Sequence, residues 1–214
     1  MDIRKIDKGQ MSLMFKKAEI VSFTRDLLES FEQQTRVKKL DLKFHTSAPE
    51  IEMWIDPKNF DKIILNLLSN ACKFTPENGQ VEISLSTGED THLPQNAPLR
   101  RYVELTVADS GIGIASTERE HIFERFYQIR NSQNNSNIGT GIGLHLTRSL
   151  VELHYGNIHV EDNGEGRPGS RFIIRLPLGN GHLKKEEIEE ATTADTLITV
   201  SYTHLRAHET LSDL

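Results

Sequence analysis

Residues 139–146 read GTGIGLHL: glycine stands at 139, 141 and 143, and an apolar helical pattern of Leu144, Leu146, Leu150, Val151 and Leu153 begins where the glycines stop. Bare backbone at alternate positions lets successive N–H groups face a bound anion, because no Cβ intervenes and φ can turn positive. A helix starting near Ile142 adds unpaired N–H groups and the positive end of its dipole. Glycine-rich turns also serve close packing, so the stretch alone supports two readings, a phosphate cradle or a tight junction. No Lys-Ser/Thr follows it as in a P-loop, and it does not follow the first strand of a dinucleotide-binding unit.

Two upstream stretches bear on the choice. Asp56-Pro57 reads as an N-cap with proline at the first helical position, followed by the stripe Phe60, Ile63, Ile64, Leu67, Leu68 and Ala71; Thr75-Pro76 and Asn78-Gly79 end the helix. Asn66, Asn70 and Lys73 share another face of it. That face is either solvated or serves a polar site. Amide oxygens are hard ligands suited to Mg²⁺, and lysine is a compact cation for phosphate. Further on, Val103, Leu105 and Val107 alternate as a strand that stops at Asp109-Ser110-Gly111-Ile112-Gly113. Asp109 there is a turn residue, a helix cap, or an acceptor for an exocyclic amine such as adenine's.

The remaining pattern alternates helix and strand. Residues 22–37 predict one amphipathic helix, Leu40–Phe44 and Val81–Leu85 predict strands, Gly88–Arg100 a surface loop, and Ile158–Val160 and Phe172–Leu176 closing strands. Residues 117–130 look helical around Ile122, Phe123 and Phe126, and Gly156 is the expected terminator of the last helix. With 214 residues, 36% hydrophobic, 26% charged and a net charge of −6, the chain reads as one globular domain with tails. The acidic balance argues against nucleic acid as the main partner. No apolar run approaches the roughly 20 residues that span a bilayer, so no membrane contact and a cytoplasmic setting are expected. Cys72 is the only cysteine and is expected to be a small buried residue.

The motifs occur in one order, and together they resemble the ATP-binding catalytic domain of sensor histidine kinases. LNLLSNACKFTP (65–76) is similar to that family's N box, DSGIGI (109–114) to its first glycine box, FERFYQ (123–128) to its F box, and GTGIGLHLTRSLVELHYG (139–156) to its second glycine box. The resemblance spans roughly residues 19–178 and implies the Bergerat fold, an α/β two-layer sandwich with a mixed, mostly antiparallel sheet against about three helices. It further implies ATP and Mg²⁺ as ligands. Asp109 would accept from the adenine amine, with Gly111, Ile112 and Gly113 passing close to the nucleotide and Phe74 near the base. Asn70 would hold Mg²⁺, Asn66 would support the metal or a phosphate, and Lys73 would contact phosphate oxygens. Gly139, Thr140, Gly141, Ile142, Gly143 and Leu144 would lie along the triphosphate, and residues 128–138 would form a lid. Phe123 and Phe126 are lid anchors or plain core residues, and Ser170 would reach a water beside the adenine.

The reaction so implied is transfer of the γ-phosphoryl group of ATP to a histidine. None of the nine histidines sits in the family's phosphoacceptor context. The implied partners are therefore an upstream dimerisation and phosphoacceptor domain, whose exit residues 1–18 resemble, and a response regulator or receiver domain. The isolated domain is expected to be monomeric, with residues 179–214 as linker and tail, disordered or partly non-native. Related ATPases of this fold place Glu at the position of Asn66, where it activates water; an amide cannot. A nucleotide-binding module without transfer activity, or another ATPase of this fold, is the alternative.

Overall fold

Alternation around Val81, Val103 and Phe172 gives strands with one apolar side, and their order decides where the polar strand ends meet. A computed structural model of the chain describes residue 6 and residues 10–129, 140–164 and 166–189. The elements are β1 (Lys16–Glu19), α1 (Ile20–Glu29), α2 (Glu32–Val37), β2 (Asp41–Thr46), β3 (Glu52–Ile55), α3 (Pro57–Phe74), β4 (Gln80–Glu89), β5 (Arg101–Asp109), α4 (Gly143–Leu153), β6 (Asn157–Asp162) and β7 (Ser170–Pro177). Five strands form a mixed sheet in the order β2-β4-β5-β7-β6, with β2 parallel to β4 and the other pairs antiparallel. One rung aligns Leu42, Val81, Asp109, Ser170 and Asp162, and the next rung on that face aligns Phe44, Ile83, Val107, Phe172 and Val160. Helices α1, α3 and α4 bury their apolar stripes on this face in one core. The two-layer sandwich expected from sequence is the observed fold.

Helix α3 starts and stops where the sequence says. The Asp56 carboxylate accepts from Asn59 N at 3.2 Å, Pro57 occupies the first turn, and Thr75 takes an extended conformation before Pro76. Lys38 donates to the carbonyls of Cys72 (2.7 Å) and Lys73 (2.9 Å), satisfying the helix's C-terminal end. Cys72 is buried and unpaired.

Elsewhere the structure departs from the expectation. The helix expected over 22–37 is two helices broken at Ser30, because Glu19 caps the first through Val21 N (2.9 Å) and Ser22 N (2.7 Å) while Ser30 N bonds Leu27 O at 3.2 Å. A two-stranded sheet of β1 and β3 was not visible in the pattern. Around Ile122 only a single 3-10 turn, His121–Phe123, forms. Helix α4 is terminated by Tyr155 at φ +62°, not by Gly156. Gly156 is required for space: a Cβ there would lie 2.4 Å from Arg175 O. Nor does the chain leave the body after Leu178. Phe15 N bonds Glu187 O at 2.6 Å, Glu189 N bonds Phe15 O at 2.9 Å, and the Tyr155 hydroxyl donates to the Glu187 carboxylate at 2.7 Å. Leu13 and Phe15, expected to belong to an exit segment, are buried here. Residues 1–5 and 190–214 lie outside the described residues.

His154 joins these pieces. Its Nε2 faces Asp56 N at 3.2 Å and its Nδ1 faces Leu150 O at 2.7 Å. A backbone N–H only donates and a carbonyl only accepts, so the ring is neutral with its proton on Nδ1. Burial pushes its pKa down, with its hydrogen bonds and Asp56 opposing. In the unfolded chain the imidazole takes a proton near about pH 6.5, so below that point the unfolded state binds more protons and stability falls. Burial lowers His182 too and adds to the trend, whereas the exposed His121, raised by its Glu124 hydrogen bond, opposes it. Melting temperature is expected to drop as pH falls below about 6.5, and His154→Gln should flatten that dependence, as read by thermal denaturation across the range. Tyr155→Phe is expected to cost about 1 kcal/mol in urea unfolding by removing the bond to Glu187.

Candidate functional site

The rung that carries Asp109 ends the sheet directly above the C-terminal turn of α3. Asp109 is 7% exposed; its Oδ1 accepts from Gly111 N at 2.8 Å and its Oδ2 from the Ser170 hydroxyl at 2.7 Å. Burial raises its pKa, and the bonds from Ser170 and Gly111 partly offset that. Each oxygen keeps acceptor capacity, so a further donor such as an exocyclic amine can be taken. Ser170, expected to reach a ligand through water, is committed to orienting Asp109. Gly111 passes so close to the end of α3 that a Cβ would lie 2.6 Å from Phe74 O. Gly113 turns at φ +74° against Gly169. Phe74 and Ile112 leave 40% and 66% of their surface exposed beside this junction.

Two residues that support Asp109 carried no readable signal. Gly169 sits at φ +98°, where a Cβ would come within 1.7 Å of Asp109 O. Asn163 donates from Nδ2 to Asp109 O and to Pro168 O, both at 2.7 Å. Glycine after Arg167-Pro168 reads as an ordinary turn, and nothing in a single sequence connects it to position 109.

Two turns back along α3, about 12 Å at 1.5 Å per residue, lies the other end of the site. Asn66 Nδ2 donates to Thr147 Oγ1 at 2.6 Å, and a Cβ on Gly143 would lie 2.5 Å from Asn66 Oδ1. The structure thereby seats the N-terminus of α4 on the amide face of α3. Asn70 is half-buried, and its side chain makes no hydrogen bond to the described residues. The Lys73 ammonium lies 5.2 Å from the centre of the Phe74 ring. Gly141, at φ +67°, is pinned by packing: its carbonyl accepts from Phe126 N at 2.8 Å, and a Cβ would meet Phe126 C at 2.7 Å. Thr140 is exposed, while Ile142 and Leu144 are half-exposed at the start of α4. Gly139 and residues 130–138 of the expected lid lie outside the described residues.

The two phenylalanines separate cleanly. Phe123 is 2% exposed, edge-on to Phe172 at 6.2 Å and beneath the Arg148 guanidinium at 4.2 Å, so it is a core residue. Phe126 is 62% exposed at φ +64°, a left-handed conformation unusual for an aromatic residue. It reaches the second glycine turn through its backbone. Among the described residues no group of three or more His, Cys, Asp and Glu could hold a metal ion; the amide oxygens of Asn66 and Asn70 and the carboxylate of Asp109 are hard donors on these elements.

Residues 55–180, more than half of the chain, match the family described as Histidine kinase-, DNA gyrase B-, and HSP90-like ATPase. Sensor histidine kinase TmoS of Ectopseudomonas mendocina is 36% identical over 83% of this chain and 17% of its own length. Histidine kinase P4 of Formosa agariphila is 31% identical over 88% of this chain and 13% of its own. The chain thus spans less than a fifth of either relative. Full-length ShkA, solved in complex with AMPPNP, superimposes with a TM-score of 0.63 at 27% identity, over 79% of this chain and 32% of that one. With the fold, the amide-bearing helix and the two glycine turns in place, the chain belongs to the histidine kinase-, DNA gyrase B- and HSP90-like ATPase family, as an ATP-binding catalytic domain of the histidine kinase type.

Proposed function

We propose that this domain binds Mg²⁺-ATP along α3, adenine against Asp109 and triphosphate against the start of α4, and passes the γ-phosphoryl group to a histidine on a separate helical domain. One observation carries the reading: a single helix presents Phe74 and Lys73 at the Asp109 end and Asn70 and Asn66 at the end where α4 begins. The residues fit the metal. Two neutral amide oxygens cannot satisfy six-coordinate Mg²⁺ alone, so the ion would arrive with phosphate oxygens and waters completing its shell. When bound there, it supplies neutralisation of charge on the phosphates. Lys73 adds a second positive charge, and the unpaired N–H groups of α4's first turn face an anion.

Transfer needs a nucleophile, which this reading takes from a partner domain; within the chain His154 is buried in its structural role, His121 pairs with Glu124 at 2.7 Å, and His145 Nδ1 lies 3.3 Å from Phe123 O. The incoming imidazole nitrogen would form the N–P bond while the bond from the γ-phosphorus to the ADP oxygen breaks. Asn66, lacking a basic oxygen, does not activate water for hydrolysis. The partners of this reading are a dimerisation domain carrying the acceptor histidine and a response regulator or receiver domain, and its setting is the cytoplasm. Among the described residues no helix is long and apolar enough to cross a membrane.

Incubating the chain with labelled ATP and a helical domain bearing a phosphoacceptor histidine should place acid-labile, base-stable label on that domain. Tight nucleotide binding with no label transferred would favour a binding module instead. Asp109→Asn tests the adenine contact. Because Gly111 N–H can only donate, the new amide must keep its oxygen there and turn its NH₂ towards Ser170 and the ligand's amine. ATP affinity measured by calorimetry should fall about tenfold or more; unchanged affinity would remove Asp109 from the site.

A further inference from the structure

One hydroxyl on α4 decides which end of the Asn66 amide faces the phosphates. Thr147 is 1% exposed. Its Oγ1 lies 3.0 Å from Gly143 O, one turn earlier in the same helix, and 2.6 Å from Asn66 Nδ2. A threonine hydroxyl has one proton. The Gly143 carbonyl can only accept, so that proton is committed to it, and Oγ1 has only a lone pair left for Asn66. The NH₂ end must therefore face Thr147. The opposite end, Oδ1, then points at the Gly143 Cα, makes no hydrogen bond to the described residues, and is not among the buried unpaired atoms. It is an open acceptor at the mouth of the glycine turn.

We propose that Thr147 is a positioning residue: by holding the Asn66 amide in this sense, it presents an oxygen, not an NH₂ group, beside the N-terminus of α4, and so makes Asn66 a cation-facing residue in place of a phosphate donor. This rests on the nucleotide reading above. Gly143 belongs to the same device, since any side chain there would collide with the oriented oxygen. Without the hydroxyl, the NH₂ group loses its acceptor and the amide is free to turn over, which would aim donors at the cation.

The test uses the whole chain and AMPPNP, titrated with Mg²⁺ and with EDTA. The ratio of the two dissociation constants is the readout. Thr147→Val keeps the side-chain shape and should shrink that ratio about tenfold, as loss of a residue that orients a metal-facing group does. Affinity in EDTA should change less than about twofold, and Thr147→Ser should restore the wild-type ratio. Asn70→Ala serves as the comparison. If Thr147→Val keeps the full Mg²⁺ dependence while Asn70→Ala loses it, the orienting role is overturned and the nucleotide site stands. If Thr147→Val weakens binding equally with and without Mg²⁺, Thr147 is a packing residue only, which also overturns it. A wild-type chain whose AMPPNP affinity ignores Mg²⁺ would overturn both readings together.

Discussion

The burial of one face of α3 is the constraint on which the rest of the domain depends. Phe60, Ile63, Ile64, Leu67 and Leu68 are each at most 1% exposed, and burying such a side chain contributes about 1.5–3 kcal/mol. That stripe fixes the rotation of the helix about its axis, and with it the direction in which Asn66, Asn70 and Lys73 face. Both ends are tied down as well. Asp56 caps the first turn and receives Met14 N at 3.0 Å, while Lys38 closes the last. A helix held at both ends and along one side positions polar groups more closely than a loop could. It leaves little freedom for the amide face to adjust to a ligand, so the ligand must fit the helix.

Glycines mediate the contacts that this rigid helix makes with its neighbours. Gly111 lets the turn after β5 pass over the carbonyl of Phe74, and Gly143 lets α4 begin against the Asn66 amide. The stretch GTGIGLHL thus serves its close-packing reading at Gly141 and Gly143, and the proposed phosphate cradle would use the same turn. Gly141 and Gly143 are demanded by close packing, against Phe126 and Asn66 respectively, and the same closeness sets the unpaired N–H groups of α4 beside the polar face of α3. On the proposed reading, that tight junction is where the triphosphate would lie.

What could be read from the sequence follows from the range of the interactions. Helix α3 was legible because its cap, its stripe and its stop are all local, and Asp109 because a carboxylate closing an alternating strand before two glycines is a local pattern. The β1–β3 pair was not, since each strand has four residues and their partners lie more than thirty positions apart. The left-handed turn fell on Tyr155 because Gly156 was needed for contact with β7. The clasp of residues 187–189 on Phe15 was hidden by a charged run whose sidedness only the folded chain reveals. In the site, Thr147, Asn163 and Gly169 each act on a residue more than fifty positions away. No spacing rule reaches that far.

The division of labour among the histidines follows from the same economy of contacts. His154 touches the N-cap of the amide-bearing helix, yet its two nitrogens are spent on Asp56 and Leu150 and its ring is packed edge-on to Phe15 at 5.3 Å. An imidazole in that state has no lone pair to offer and no route to a phosphate. Asn66, standing where a carboxylate could have drawn a proton from water, has its NH₂ group held by Thr147 and offers only a weakly basic oxygen. On the proposed reading, the domain gathers the groups that would bind and orient a triphosphate, the Asn66, Asn70 and Lys73 face of α3 and the first turn of α4. On that reading the reacting nitrogen would come from a partner domain able to reach the start of α4.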